Sequence, residues 1–445
     1  MYASSDTLRA TSALVLAIRA VLAGLAYIVA LVVSYYYGGG YGQEASVWLA
    51  SGVALGVLAL ADLSRWPAYS AGLGLGAIAA NAIAGESFGS SLVFAAEELI
   101  VAWGGAWLLR RWIGPRARLD DARKVLIFVG VGAIGTALAS LAINIVVYPL
   151  LGLPSPAIAW RLWLVSGAVG TLVITPLLFA WADFRPKRSG GATMTDFAWG
   201  GPLFVALVCS AVLVFYGETS ERFSGSVGYA LTYLPFPFLV LGGLVWGPRG
   251  ATLSSFILAA IAVVYTVRGQ GPFAGVEGFL GEDVLEVQGY VAATALLSLM
   301  LSALTASRQR ALREAADWKT RYEAAICASG QLLYELDPIS GRMDWTGDAT
   351  RFGWSTEKIT SLAAYLERIH PDDREAVRSA LLELGRGQRR RWSARYRLMS
   401  AGRDETFVES DASAIVDIDD SVHRVAGFLR RIVTDTTEAP RPTIQ

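Results

Sequence analysis

The chain has 445 residues, of which 54% are hydrophobic and only 17% are charged, whereas soluble domains average about 45–50% apolar and about 25% charged residues. Its 38 basic and 38 acidic residues cancel, so the net charge gives no electrostatic case for a nucleic-acid partner. With two cysteines and two histidines, we expect neither a disulfide framework nor a cysteine-based metal site.

The excess of apolar residues lies between Ser12 and Thr305, where long apolar runs follow one another. A helix needs about 20 apolar residues to cross the hydrocarbon core of a bilayer. We therefore predict a polytopic α-helical membrane domain, residues 1–306, with about ten spans. Each of the two regions 46–84 and 229–267 could form either two short helices or a kinked, partly re-entrant pair. The predicted spans are 12–37, 46–63, 65–84, 90–110, 124–149, 160–182, 196–216, 229–246, 250–267 and 284–306.

The loops between these spans alternate in charge. Three are densely basic: "RRWIGPRARLDDARK" (110–124), "RPKRS" (185–189) and "SRQRALREAADWKTR" (307–321). If every span is real, these fall on one side, and the loops on the other side are poor in Lys and Arg. Because basic loops stay in the cytoplasm, we predict a multi-pass protein of the bacterial inner membrane with both termini in the cytoplasm.

Several motifs in the apolar part occur in a defined order. They are the W-x-x-S-G entry at Trp48, the "RWP" hairpin at Arg65, Asn81 at the end of the third span, Glu98 in the fourth span, and the exit "GTLVITPLLFAW" (170–181). Over roughly residues 12–306 this pattern resembles the MASE1 family of bacterial membrane-associated sensor domains. The resemblance implies sensory input at the membrane, upstream of kinase, cyclase or phosphodiesterase outputs.

Polar side chains inside the predicted spans are few, and such groups are costly in a bilayer and usually functional. Their depths predict an outward-facing polar pocket for an unknown membrane or periplasmic ligand. Adjacent residues on a helix point about 100° apart, so Glu97 and Glu98 are not both expected to face one cavity. Glu98, which matches the acidic position of the MASE1 family, is expected to pair with Arg161. The candidate residues are Trp48, Asn81, Glu97, Glu98, Asn144, Arg161 and Trp163.

Structural roles remain open for the same residues. Trp48 and Trp163 sit at interface depth, where tryptophan is enriched in any membrane protein. Asn81 and Asn144 are equally suited to hydrogen bonds between helices. The glutamates could have a structural partner instead of a ligand.

A charged helix is predicted to leave the last span and to act as a signalling helix over residues 307–325. The seam Ala311, Ala315, Trp318, Tyr322 and Ala325 has 4-3-4-3 spacing, which is typical of a coiled coil. It predicts a parallel homodimer through residues 304–325. The alternative is one amphipathic helix that packs on its own domain.

From residue 326 the pattern changes to that of a small cytosolic α+β domain, residues 326–439, followed by a tail, 440–445. "QLLYELD" and "RMDWT" form a predicted hairpin, a helical stretch follows, and three antiparallel strands begin at "RWSARYRLMS". In that strand Trp392, Ala394, Tyr396 and Leu398 alternate with polar residues, which indicates a half-buried strand.

Three motifs in this part resemble a PAS domain with a five-stranded antiparallel sheet, over roughly residues 322–438. They are "IHPDDREAV" (369–377), the strand pair "RWSARYRLMSAGRDETFVES" and the closing "GFLRRIVTDTTE". Phe407 stands where the family has tryptophan, and Thr436 where it has isoleucine. The resemblance implies that Asp435 and Thr437 couple the last strand to the output.

No cofactor is predicted for this domain. The flavin-photoreceptor motif is absent, Cys327 precedes the first strand, and His370 belongs to the H-P-x-D element, where the family uses it structurally rather than as a haem ligand. An internal pocket could be lined by five residues, which are equally read as the ordinary core. They are Trp345, Phe352, Trp354, Tyr365 and Leu366.

No nucleotide-binding loop, phospho-accepting histidine helix, cyclase signature or phosphodiesterase motif is found, so no catalytic residues are assigned. Pro440 and Pro442 do not continue a helix into another domain. We therefore expect a sensory protein that regulates a histidine kinase or cyclic-dinucleotide enzyme, either in trans or through a missing output domain.

The alternative is a small-solute permease with a regulatory PAS domain. Transporters usually carry ionisable residues on several helices near the midplane, whereas this chain has essentially one acidic pair.

Overall fold

The computed structural model describes residues 5–38, 45–115, 118–152, 160–182, 194–217, 231–274, 282–352, 354, 359–399, 405–417 and 421–432, and the structural statements below refer to these. The chain divides into two compact units, Met1–Arg310 and Ala311–Gln445.

The membrane unit consists of helices that follow the predicted apolar runs. In chain order they are α1 (Ser5–Gly38), α2 (Leu49–Leu60), α3 (Trp66–Ile83), α4 (Phe88–Trp112), α5 (Ala122–Ile127), a π-helical segment (Phe128–Gly135), α6 (Thr136–Leu150), α7 (Trp160–Trp181), α8 (Met194–Phe215), α9 (Phe236–Val267) and α10 (Glu282–Ser329).

The predicted count of about ten spans is not supported. Among the described residues, six helical segments are long and apolar enough to cross a bilayer, and two apolar helices are shorter. One short helix is α2, whose 12 residues extend only about 18 Å at 1.5 Å per residue. The six segments are Ala13–Tyr36, Phe88–Trp112, Ala122–Leu150, Trp160–Trp181, Phe236–Val267 and Glu282–Ser329.

The region 229–267 accounts for part of the difference. Two predicted spans meet there in α9, which is interrupted at Gly247. Gly247 has φ 60° and ψ −143°, a conformation that is open to glycine and strained for other residues. Pro248 follows it. A Cβ added to Gly250 would lie 2.1 Å from the carbonyl oxygen of Gly242, so the two helical stretches of α9 fold back on each other at this turn. The two helices predicted here are therefore present, joined by a tight turn.

Small residues bring the helices of the membrane unit close together. A Cβ atom added to Gly76 would lie 2.6 Å from the carbonyl oxygen of Gly24, where α3 crosses α1. On α2, a Cβ added to Gly52 would lie 2.7 Å from the carbonyl oxygen of Gly170 on α7. Close backbone approach at small residues is the usual way in which membrane helices gain packing energy.

The C-terminal unit has the predicted order of two strands, helices and three strands. The strands are β1 (Leu332–Leu336), β2 (Met343–Gly347), β3 (Arg391–Met399), β4 (Glu405–Val416) and β5 (Val422–Arg431), and the helices are α11 (Leu362–Leu366) and α12 (Pro371–Gly385). They form one antiparallel sheet in the order β2-β1-β5-β4-β3. In β3 the four predicted core residues Trp392, Ala394, Tyr396 and Leu398 are buried, so the predicted alternation is confirmed.

Candidate functional site

A cavity of about 310 Å³ lies in the membrane unit between α1, α2, α3, α4, α6 and α7, a volume at the small end of ligand sites. Six of the seven residues predicted for a membrane pocket line it. The start of α2, the end of α3 and the start of α7 meet here because successive helices run in opposite directions. The six residues are Trp48, Asn81, Glu97, Glu98, Asn144 and Trp163.

Glu98 points from α4 toward α1 and α2. Its Oε2 accepts a hydrogen bond of 3.3 Å from Ser51 Oγ, and the side chains of Trp48 and Tyr27 reach the same carboxyl group. The residue is only 9% exposed. Glu98 is therefore held by neutral donors on two neighbouring helices.

Glu97 lines the same cavity, contrary to our expectation that adjacent glutamates do not share one. It faces α6, where Ser140 and Asn144 lie beside its carboxyl group, and it is 8% exposed. Adjacent side chains on a helix do point about 100° apart, but the cavity extends far enough around α4 for both glutamates to line it. Glu97 Oε1 is buried without a hydrogen-bond partner among the described residues.

Each of the two asparagines donates a hydrogen bond within its own helix. Asn81 Nδ2 donates to the Ala77 carbonyl oxygen at 3.0 Å, and Asn144 Nδ2 donates to that of Ser140 at 3.0 Å. Asn144 Oδ1 is buried and has no partner within the described part of the chain. Together with Glu97 Oε1, it leaves two unused acceptors on the cavity wall.

The expected pair between Glu98 and Arg161 is not formed. Arg161 is exposed, its guanidinium lies 5.6 Å from the ring centroid of Trp160, and it does not line the cavity in the described structure. Trp163, two residues later on α7, points the other way and does line it. Arg161 lies at the start of α7, as the predicted span implied, but its side chain does not point toward Glu98.

One wall of the cavity is the segment from Ala45 to Trp48, which three other helices hold in place. Ser166 Oγ on α7 donates to the Ala45 carbonyl oxygen at 2.7 Å, and the Trp48 amide donates to the Ser166 carbonyl oxygen at 3.1 Å. From α10, Gln288 Nε2 donates to the carbonyl oxygen of Ser46 at 2.5 Å. On α1, Ser34 Oγ accepts from the Leu49 amide at 3.0 Å.

Gln288 was missed by the sequence analysis. It is fully buried, and its only signal is a single amide in the apolar run "VLEVQGYVAATALL" (284–297). Tyr27 and Ser51 were missed as well, because a lone hydroxyl in an apolar helix is common and carries no directional signal of its own.

In the C-terminal unit, the five predicted pocket residues are all part of, or packed against, one hydrophobic core. Phe352, Tyr365 and Leu366 belong to the hydrophobic core, and Trp345 and Trp354 pack on it. The rings of Trp345 and Trp354 meet edge to face at 4.9 Å. Trp345 Nε1 donates to the Ile359 carbonyl oxygen at 2.6 Å.

The H-P-x-D element of this unit is tied to β3 by an ion pair. His370 caps α12, and its Nδ1 accepts from the Asp372 amide at 3.3 Å. The buried Asp373 accepts from the Arg397 amide and Nε, both at 3.0 Å. Partial burial disfavours the Asp373 carboxylate, but the hydrogen bonds and charge of Arg397 outweigh burial and lower the pKa of Asp373.

Replacing Asp373 with asparagine should therefore loosen β3 by about 2 kcal/mol at pH 7, since charged hydrogen bonds of this kind contribute about 1.5–3 kcal/mol. The measurement is hydrogen–deuterium exchange of β3 peptides in the full chain, corrected for intrinsic rates. Because the folded pKa is lowered, this stability is present above about pH 4. It should disappear as the pH falls through the folded pKa.

The control is Asp372→Asn, which removes the same charge from an exposed neighbour that lies 3.4 Å from Arg397. It should leave exchange in β3 nearly unchanged. Equal effects of the two substitutions would contradict the role assigned to the buried pair.

The predicted output residues Asp435 and Thr437 lie outside the described residues. Both cysteines, Cys209 and Cys327, are free and exposed.

Comparison with known proteins gives two family matches in the predicted order. The MASE1 family model matches residues 15–310, and the PAS_3 model, a PAS fold, matches residues 343–429. Both sequence resemblances are thereby confirmed. No curated protein matches the chain.

Solved structures match about a quarter of the chain. The N-terminal domain of a diguanylate cyclase with PAS/PAC sensor from Marinobacter aquaeolei is 17% identical over 23% of this chain and 94% of its own, with a TM-score of 0.21. A sensory box histidine kinase/response regulator from Burkholderia thailandensis E264 is 21% identical over 25% and 84%, with a TM-score of 0.22. A domain of the putative light and redox sensing histidine kinase from Haloarcula marismortui is 24% identical over 23% and 90%, with a TM-score of 0.21.

Proposed function

Because the chain belongs to the MASE1 family and carries a PAS domain after its membrane unit, and is thus a membrane sensory signalling protein, we propose that its cavity is the input site. Occupancy of the cavity changes the position of α10, and the PAS domain passes the change to a histidine kinase or cyclic-dinucleotide enzyme. That output lies on a partner protein or on a further domain of the same polypeptide.

The observation that carries this proposal is the hydrogen bond from Gln288 to Ser46. Ser46 lies between Ala45 and Trp48, which both line the cavity, and Gln288 lies on α10. A ligand that moves this wall therefore acts directly on the helix that continues to Ser329. The two unused acceptors on the cavity wall support a ligand role, because buried polar atoms without partners are costly.

The α10 helix has the length and surface expected of a signalling element. Its 48 residues extend about 72 Å at 1.5 Å per residue. Residues 311–320 are exposed, and Trp318, 69% exposed, stacks on Tyr322 at 5.5 Å. These residues belong to the predicted heptad seam, which supports a homodimer through this part of α10.

A cluster of charges supports the proposed orientation in the inner membrane. Asp120, in the basic segment before α5, pairs with Lys124 at 2.5 Å and with Arg310, near the end of the membrane unit. The two segments that were predicted to be cytoplasmic thus lie together. Partial burial disfavours the Asp120 carboxylate, but Lys124 and Arg310 outweigh it and lower the pKa of Asp120.

The test is a fusion of the full chain to a diguanylate cyclase catalytic domain at its C-terminus, with cyclic di-GMP as the output. Any output requires a cytoplasmic C-terminus, because the substrate GTP is cytosolic, and the unfused chain should make none. Gly167→Leu fills the cavity, since Gly167 lines it and, among the described residues, an added Cβ meets only Ala137, at 3.5 Å and beyond. It should shift the output about fivefold or more, as couplings of 1–3 kcal/mol do.

The matched control is Gly104→Leu on α4, where an added Cβ meets no described residue within 4 Å. It should leave the output within about twofold of the wild-type fusion, well below the shift expected of a coupled site. Equal outputs from Gly167→Leu and the wild-type fusion would contradict the assignment of the cavity as the input site.

A further inference from the structure

The charges on the cavity wall have one sign. Among the lining residues that the structure describes, the acidic side chains are Glu86, Glu97 and Glu98, and none is Lys, Arg or His. An anionic ligand would be repelled by these carboxylates. A neutral ligand would leave the acidic groups without a partner of opposite charge.

Aromatic rings surround these carboxyl groups in two sets. Tyr35 and Trp48 meet edge to face at 5.5 Å on the side of Glu98. Tyr148 meets Trp163 edge to face at 5.4 Å and lies one turn after Asn144 on α6, on the side of Glu97. Aromatic faces attract cations, most strongly where water is excluded. The six lining aromatic residues are Tyr27, Tyr35, Trp48, Phe94, Tyr148 and Trp163.

The two unused groups specify what the cation must carry. Within the part of the chain that the structure describes, Glu97 Oε1 and Asn144 Oδ1 are both buried acceptors without partners, and the amide of Asn144 is oriented by the bond from its Nδ2 to Ser140. Glu97 and Asn144 are 8% and 2% exposed. A group with N–H donors would satisfy both oxygens, whereas a quaternary ammonium would satisfy neither.

We propose that the cavity binds a small organic cation that carries N–H donors, a protonated amine or a guanidinium. It lies between the two aromatic sets, with its charge near Glu97 and Glu98. This inference rests on the proposed input site and adds the chemical class of its ligand.

The test measures binding of benzylammonium to the full chain in nanodiscs by isothermal titration calorimetry, with empty nanodiscs as the blank for partition into lipid. Benzyl alcohol and benzoate are the neutral and anionic isosteres, and hexylammonium with 1-hexanol repeats the comparison on a flexible scaffold. We expect each amine to bind about tenfold or more tightly than its isosteres, because loss of a desolvated charge contact typically costs this much or more. Benzyltrimethylammonium, which has no N–H, should bind more weakly than benzylammonium.

Glu97→Gln keeps the shape and removes the charge, and should weaken amine binding about tenfold or more. Glu98→Gln is the second variant in case the first does not fold, as checked by thermal unfolding without ligand. Asp62→Asn removes an exposed carboxylate that pairs with Arg65 and does not line the cavity, so it should not change binding. If no amine binds more tightly than its neutral isostere, or if Glu97→Gln and Glu98→Gln both bind like the wild type, the inference is wrong.

This failure can be told apart from failure of the proposed function. If Gly167→Leu still shifts the output of the cyclase fusion, the cavity is an input site for another kind of ligand. If proteoliposomes accumulate labelled benzylammonium through the protein, the cation site stands and the protein is a permease instead of a sensor.

Discussion

Replacing Glu98 with glutamine should shift the output of the cyclase fusion about fivefold or more, the effect of a coupling of at least about 1 kcal/mol. Glutamine keeps the size of the side chain and can still meet Ser51, which donates to Glu98 at 3.3 Å. What it loses is the carboxylate, the group that is proposed to attract a bound cation. Membrane insertion should survive, because a neutral amide is less costly to bury than an ionised carboxylate.

Arg161→Ala is the informative control for this prediction. If Glu98 and Arg161 formed the pair expected from the sequence, loss of either would leave a desolvated charge and both variants would fail. The structure places Arg161 at the surface over Trp160, so Arg161→Ala should stay within about twofold of the wild type, below the shift expected of a coupled site. A normal output from Glu98→Gln would refute the site, whereas shifted outputs from both Glu98→Gln and Arg161→Ala would restore the pair.

The position of the cavity was predictable to a large extent. Apolar length located the helices, and alternating direction then placed Trp48, Asn81, Asn144 and Trp163 at a common depth. These are one-dimensional properties of the sequence. The order of strands in the PAS domain was predictable for a similar reason, since residues in β3 alternate between a buried and an exposed face.

Rotation about a helix axis was not predictable in the same way. Arg161 and Trp163 are two residues apart on α7 and face different surroundings, and only the packing of the neighbouring helices decides which side chain faces the cavity. The width of the cavity around α4 is also a property of several helices at once. For this reason Glu97 and Glu98 could both line the cavity although they point in different directions.

Span number was not predictable from composition alone. The segment "WGPRG" (246–250) has the residues of a loop, and the chain does turn there at Gly247, between the two helical stretches of α9. Apolar composition also does not fix helix length, since α2 ends after 12 residues. A sequence pattern does not show which residues far apart in the chain are in contact. The clearest case is the hydrogen bond from Gln288 to Ser46, two residues that are 242 positions apart.

Replacing Gln288 with leucine should disconnect the cavity from the output. Leucine fills a similar volume but has no donor, so the carbonyl oxygen of Ser46 loses the bond from α10. An unsatisfied buried acceptor costs about 1–3 kcal/mol, which should lower thermal stability without preventing insertion. The cavity itself is bounded by other helices, so amine binding should stay within about threefold of the wild type, a change of less than 1 kcal/mol.

A double-mutant cycle with Gly167→Leu isolates the transmission step. In the wild-type background Gly167→Leu should shift the fusion output about fivefold or more. In the Gln288→Leu background the same substitution should change it by less than about twofold, because the two sites then no longer share an interaction. The non-additivity is the measure of coupling through Ser46.

Thr294→Val provides the matched background. Thr294 is buried on the same helix, but its Oγ1 bonds only to the Val291 carbonyl oxygen one turn earlier, at 2.8 Å, and valine keeps its shape. Filling the cavity should therefore shift the output in the Thr294→Val background as strongly as in the wild type. If Gly167→Leu retains its full effect in the Gln288→Leu background, the signal leaves the cavity by another path and Gln288 only stabilises the packing of α10.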